Sequence, residues 1–364
     1  MFSCVIPLSE VTINADAGSP GSTATAAPIP GMWTDVVADL GGTPLACGSA
    51  ALVVPRPAQS QLILGLQGGL WSSLDNGGTW SPLGTGPGSA VIANIPSALV
   101  FDPLDPTHYW ENGIYGDAGG VYFTSDNGTT FTQLGTVHHV DLVAIDFTDP
   151  LRQTLIAGGH EQSQVLYKSS DGGMTWAGIG TMLPNMTNCT HPIVYDSMTY
   201  VVGCGGFGGG QSGVVRTTDG GNTWTLVTKF GGFMAPLQAS DGSIYWASPV
   251  ANVGVDSGMA RSIDNGLTWT DVVVSGTIYD MSPTELPDGR LAIIGPLYGS
   301  QSVMLSSDHG ATWKPVTPYL PFSFPTGVIY SQQAKAFYVW HSSSCTDAGE
   351  PDSIVRFDFD YTKE

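Results

Sequence analysis

Two short segments concentrate side chains that can handle protons. His138 and His139 stand in TVHHVD with Asp141 just behind them, and His160 and Glu161 are adjacent in AGGHEQ. An imidazole titrates near neutrality, and a neighbouring carboxylate can orient it and hold its charge. Tyr115 and Tyr279 add phenols that could act as acids, while Asp117 and Asp280 add further carboxylates. A base, an acid and something that neutralises a carboxylate are the needs of proton abstraction next to that carboxylate. A pair of carboxylates roughly 5–10 Å apart would instead serve glycoside hydrolysis. The candidates are spread from position 115 to position 280, so a fold must gather them.

The elements that could do so are written as a repeat. The segments SSLDNGGTW, TSDNGTTF, SSDGGMTW, TTDGGNTW, SIDNGLTW and SSDHGATW place an Asp at 75, 126, 171, 219, 264 and 308, at intervals of 51, 45, 48, 45 and 44 residues. A period of that size with strand-like flanks predicts propeller blades. In each copy the Asp carboxylate can accept N–H groups of its own tight turn. The Ser or Thr two residues earlier can add a hydroxyl. The Gly two residues later supplies a positive φ, and the closing Trp or Phe starts a strand and packs between sheets. After the sixth copy, GVIYSQ, AFYVWH and SIVRFDFDY supply three strands of a seventh blade. MWTDVVADL at Met32–Leu40 mirrors TWTDVVV at Thr268–Val274 and is expected to complete that blade and close the ring, removing exposed sheet edges. The expected organisation is all-β: an arm over 1–31 and a single seven-bladed β-propeller over 32–364.

These repeats resemble the Asp boxes, or BNR repeats, of the sialidase-like superfamily, which includes sortilin-type receptors, xyloglucanases and several polysaccharide lyases. The resemblance covers residues 33 to 360 and is specific for fold rather than function. It implies that each box lies on the turn between the third and fourth strands of its blade, on the face away from an active site. Asp75, Asp126, Asp171, Asp219, Asp264 and Asp308 are then structural. The loops after second strands and before first strands share the opposite face, which receives His138, His139, His160, Glu161, His191 and His341. Tyr115, Asp117, Asp141, Phe207, Lys229, Phe230, Phe233, Tyr279, Asp280, Tyr298, Tyr319 and Phe322 fall there too. Rings around polar groups suit a sugar, whose C–H faces stack and whose hydroxyls pair with carboxylates. Single histidines such as His191 and His341 read as structural. The cluster reads as a site, with His138, His160, Glu161 and Tyr115 as catalytic candidates and His139, Asp117, Asp141, Lys229, Phe233, Tyr279 and Tyr298 as substrate contacts.

Composition bounds the partners. Eleven basic against 31 acidic residues give a formal charge of −20, which repels phosphate backbones and anionic lipid. No apolar run is long enough to span a membrane. With 48 Gly, 25 Pro and few lysines, the chain reads as turn-rich and extracellular or secreted. Five cysteines form no CxxC pair, but Cys189 and Cys204 flank one strand so that a disulfide could join them.

Three functions remain open. The first is a polysaccharide lyase cleaving a uronate-containing glycan by β-elimination, for which rhamnose–glucuronate lyases offer the resemblance. His138 or His160 would be the base and Tyr115 or Tyr279 the acid. Such lyases usually pair the uronate with Arg, whereas Lys229 is the one cation expected on that face. A divalent cation, calcium or zinc, held by His and Glu161 could substitute. The second is a glycoside hydrolase using Asp117, Asp141, Glu161 or Asp280. The third is a non-catalytic glycan-binding or adhesion propeller. A sialidase is disfavoured, because VVPRPA at Val53–Ala58 is a poor match to the FRIP segment and the arginines map to the box face.

Overall fold

The computed structural model describes residues 29–37, 40, 52–55, 60–66, 68–115, 119–186, 188–205, 211–248, 258–273, 281–296, 300–323, 325–341 and 353–363. These form seven four-stranded antiparallel sheets in chain order around a ring. Blade 2 comprises Ile95–Phe101, Tyr109–Ile114, Val121–Thr124 and Thr132–Gln133. Blade 3 comprises Val140–Ile145, Leu155–Gly159, Leu166–Ser169 and Ala177–Gly178, and blade 4 Cys189–Val194, Tyr200–Cys204, Gly213–Thr217 and Thr225–Thr228. Second strands such as Leu62–Leu66, Leu155–Gly159 and Leu291–Gly295 are buried along their whole length. Their continuous apolar runs suit a strand covered on both faces. The outermost strands of the first, second, third and sixth blades, Ser81–Pro82, Thr132–Gln133, Ala177–Gly178 and Lys314–Pro315, are only two residues long and exposed, which keeps the outer edge too short to template pairing.

The six repeated turns have the geometry expected of them. In the first, Ser73 Oγ donates to Asp75 Oδ1 at 2.8 Å, and the same oxygen accepts from the Thr79 amide at 2.8 Å. Thr79 Oγ1 donates to Asp75 Oδ2 at 2.8 Å. The same set recurs around Asp126, Asp171, Asp219, Asp264 and Asp308. Gly77 takes a φ of 92°, and its five counterparts are also positive. Two closing rings staple neighbouring blades, Trp80 Nε1 donating to Val36 O at 2.7 Å and Trp176 Nε1 to Leu134 O at 3.2 Å, whereas Trp224, Trp269 and Trp313 donate to the glycine carbonyl of their own turn.

Blade 7 is completed from both ends of the chain. Thr34–Asp35 pairs with Ser353–Asp358, Thr34 facing Arg356 and Asp35 facing Val355, outside Ala336–His341 and Gly327–Ser331. The strand itself spans only Thr34–Asp35 of the Met32–Leu40 segment from which it was expected, and the Val36 amide continues the pairing by donating to Ile354 O at 3.0 Å. Cys189 and Cys204 face each other at the top of blade 4 and are joined by a disulfide. Among the described residues no helix is long and apolar enough to cross a membrane.

Candidate functional site

The side of the ring opposite the repeated turns carries one dense polar cluster, at the junction of blades 2 and 3. Tyr115 follows the second strand of blade 2, and His160 and Glu161 follow the second strand of blade 3. His138 and His139 enter the first strand of blade 3, where Asp141 is the second residue. That strand bulges: Val140 faces Gly159 and Leu142 faces Gly158, leaving Asp141 outside the regular ladder. A bulge inserts one residue and re-aims its side chain. Here Asp141 Oδ1 meets His160 Nδ1 at 2.8 Å. The other imidazole nitrogen, Nε2, lies 3.1 Å from the Tyr115 hydroxyl and 3.8 Å from Glu161 Oε1.

The surrounding rings fix this chain. Tyr115 meets the His160 and His139 rings edge-on, with centroids 5.1 and 5.5 Å away, and His138 packs edge-on to His139 at 5.6 Å. The two loops of blade 3 are tied by the His160 amide donating to His139 O at 2.7 Å. Gly120 permits the approach of blade 3, since a Cβ there would sit 2.9 Å from the His138 Cα. Tyr115, His139 and Glu161 have φ of 45°, 54° and 51°. Left-handed backbone at Tyr, His and Glu costs energy, and such residues concentrate at functional sites.

The electrostatics sort the roles. Burial opposes a charged His160, yet the Asp141 hydrogen bond and the negative charges of Asp141 and Glu161 outweigh it, and the imidazole titrates above its ordinary value. Burial, then the charges of Glu161 and Asp141, push the Tyr115 phenol upward, keeping it neutral. Burial and then the neighbouring imidazoles His138 and His160 push His139 downward. Asp141 and His160 side chains are 18% and 16% exposed, whereas Tyr115 is 44% exposed and so forms the open end of the chain. With Nδ1 protonated toward Asp141, Nε2 can accept the phenol proton, and the imidazolium can return it. Asp141 is thus a hydrogen-bond partner of His160.

Among the described residues, Lys229, Phe230, Tyr319 and Phe322 are not drawn into the cluster. Lys229 and Phe230 lie just past the outermost strand of blade 4, at its exposed edge. Tyr319 is exposed, and Phe322 packs on His341 at 5.7 Å in blade 7. Phe233 begins the first strand of blade 5. Asp117, Phe207, Tyr279, Asp280 and Tyr298 lie outside the described residues. His191, read from sequence as structural, lies close enough for Asp141 and His160 to influence it, and burial keeps it neutral. Among the described residues no three His, Cys, Asp or Glu side chains are arranged to hold a metal ion. Arg152, Arg261, Arg290 and Arg356 are each bound to carboxylates, Arg152 to Asp102 at 2.8 Å on the repeated-turn side.

Two residues absent from the sequence reading support the cluster: Asn112 and Ser97, both from blade 2, bond the backbone at Asp141. Their only trace in the sequence is a polar residue inside a strand that must be buried on both faces.

No protein-family model matches the chain, and no curated protein matches it. Among solved structures it is similar to a GH74 enzyme of Niastella koreensis, with a TM-score of 0.60 and 18% identity over 85% of this chain and 55% of that one. YCF48 from Cyanidioschyzon merolae aligns with a TM-score of 0.52 and 13% identity, over 89% of this chain and 98% of that one. The extracellular domain of a hybrid two-component system from B. thetaiotaomicron gives 0.57 and 10%, over 89% and 40%. The chain spans about half the length of the GH74 enzyme. At these identities the likeness concerns the fold, and what it establishes is an all-β, seven-bladed propeller.

Proposed function

We propose that this propeller is a secreted glycan-active enzyme that cleaves a uronate-containing polysaccharide by β-elimination, with Asp141, His160 and Tyr115 as its proton-transfer chain. The observation that carries the reading is the Asp141–His160–Tyr115 contact series, ending at an exposed phenol. Tyr115 Oη takes the proton from the carbon next to the uronate carboxylate while its own proton passes to His160 Nε2. The imidazolium so formed is held by Asp141. The carbon–hydrogen electron pair becomes the new carbon–carbon double bond, and the glycosidic carbon–oxygen bond breaks. The leaving oxygen then receives a proton from Tyr115, which is restored from His160. His139 packs against the phenol with His138 against its own ring, and both offer N–H donors to the substrate carboxylate. The two carboxylates of the cluster both face His160, which favours this chemistry over an open carboxylate pair. The disulfide between Cys189 and Cys204 fits an oxidising, extracellular setting.

The test is incubation with uronate polysaccharides while following ultraviolet absorbance of the unsaturated product. His160→Ala is expected to abolish turnover with folding intact; unchanged turnover would overturn the assignment. Hydrolysis is the second reading, favoured by the shared fold with a GH74 enzyme. It would show as reducing ends released without that absorbance. Glycan binding without any turnover would mark a binding propeller.

A further inference from the structure

We infer that Asn112 and Ser97 are positioning residues, an inter-blade clamp that holds the bulge at Asp141 and so sets the Asp141–His160–Tyr115 chain. The inference rests on the proton-transfer reading of that chain, but its test does not require turnover.

Asn112 is fully buried in the second strand of blade 2 and its amide is used in both directions across the blade junction. Nδ2 donates to Asp141 O at 2.8 Å and to Ser97 Oγ at 2.7 Å, and Oδ1 accepts from the Val143 amide at 3.0 Å. Ser97 Oγ in turn lies 3.0 Å from Val140 O, 2.9 Å from Asp141 O and 3.0 Å from Asn112 O, any one of which can take its single proton. The Val140 and Asp141 carbonyls and the Val143 amide are thus within hydrogen-bond reach of blade 2. A bulge frees backbone groups from the ladder, and buried ones must be paired elsewhere.

The repeat shows that this is a local specialisation. The first strands of blades 2, 3 and 4 all bulge at the same place, between Pro96 and Ala98, Val140 and Leu142, and Cys189 and His191. The residue facing the position after each bulge is Asn112 in blade 2, Gly158 in blade 3 and Gly203 in blade 4. Gly158 lets the Thr190 carbonyl of the next blade pack where a Cβ would be. Asn112 replaces that close packing with directed hydrogen bonds, at the one of these junctions whose bulge carries a carboxylate. The same strand delivers Tyr115 three residues later, so one element fixes both ends of the chain relative to His160.

The test uses the full chain with isotope-labelled histidine, followed by NMR titration and thermal unfolding. Asn112→Gly installs the residue that the next two blades carry. With the bulge released, Asp141 no longer holds Nδ1, and the imidazolium fraction of His160 near neutral pH is expected to fall by up to about tenfold. The His108 signal, from the other side of the ring, serves as the internal reference. Ser97→Ala keeps Asn112 and should give a smaller fall of the same sign. A folded Asn112→Gly variant with His160 titrating as in the parent overturns the inference. Should Asn112→Gly fail to fold, Ser97→Ala decides: a selective fall at His160 upholds the clamp, and an unchanged titration overturns it. If the titration responds while no polysaccharide is cleaved, the clamp stands and the lyase reading fails.

Discussion

Replacing Asp141 with Asn is the sharpest perturbation of the proposed site, because it removes one charge and almost no volume. In the parent the carboxylate meets His160 Nδ1 at 2.8 Å, with both side chains less than a fifth exposed. A hydrogen bond to a charged group contributes about 1.5–3 kcal/mol, against about 1 kcal/mol for a neutral pair. The difference of roughly 1.4 kcal/mol corresponds to a factor of about ten in the protonation equilibrium. His160 should therefore hold its proton about tenfold less well in the variant. The sign follows from the raised titration of the parent imidazole. Stability from this pair is fully present below the unfolded histidine value and is lost as pH rises through the higher folded value, so the parent should lose an increment on the alkaline side that Asp141→Asn lacks. The amide also no longer enforces the tautomer with Nδ1 protonated, and turnover should fall roughly ten- to hundredfold. Since His160 must be neutral to accept the phenol proton, the acid limb of the residual activity should move to lower pH. NMR titration reads the first effect and the absorbance assay the second. A His160 titration unmoved by the substitution would refute the reasoning, whatever the rate did.

Glu111 is fully buried beside Asn94, and burial raises its carboxyl from 4.5 to about 8. Between those values folding takes up a proton, so parent stability should decline as pH rises through that window. Glu111→Gln should flatten the decline and unfold at higher temperature than the parent above pH 8, as thermal unfolding at several pH values would show. Replacing Cys189 and Cys204 with Ala removes a link across a separation of 15 residues and should lower stability by about 3 kcal/mol in denaturant titrations. Gly158→Ala drives a Cβ into the Thr190 carbonyl of the next blade and should cost about 1–3 kcal/mol, whereas Gly178→Ala, with open space around it, should cost far less in the same titration.

The ring was readable because each repeated turn is a local device: Ser73, Asp75, Gly77 and Thr79 satisfy one another within seven residues, so their spacing carries the structure. The polarity of the ring follows from those turns, which is why loops bearing Tyr115, His139 and His160 could be assigned to one face. The pairing inside the cluster was not readable. Asp141 reaches His160 through a bulge, and nothing in VDLVAI marks which residue leaves the ladder. Asn112 and Ser97 act across a junction, at a distance that depends on how two blades dock. Lys229 shows the converse, a residue on a suitable loop that stands exposed just past the outer strand of blade 4.

The pairing of Thr34 with Arg356 joins residues more than three hundred positions apart. Holding the ends of so long a loop together costs roughly 5 kcal/mol of chain entropy beyond a constant. The return in ladder pairing is modest, two positions, supplemented by the Val36 amide on Ile354 O at 3.0 Å, the Trp80 indole on Val36 O at 2.7 Å and the Trp33 ring against Phe357 at 5.4 Å. This seam is consequently where the molecule should breathe first, with the Val36 amide exchanging its hydrogen well ahead of the inner strands. Blades 2 and 3 stand apart from it along the ring, so the protein can loosen at its fastening without disturbing the place where protons would move.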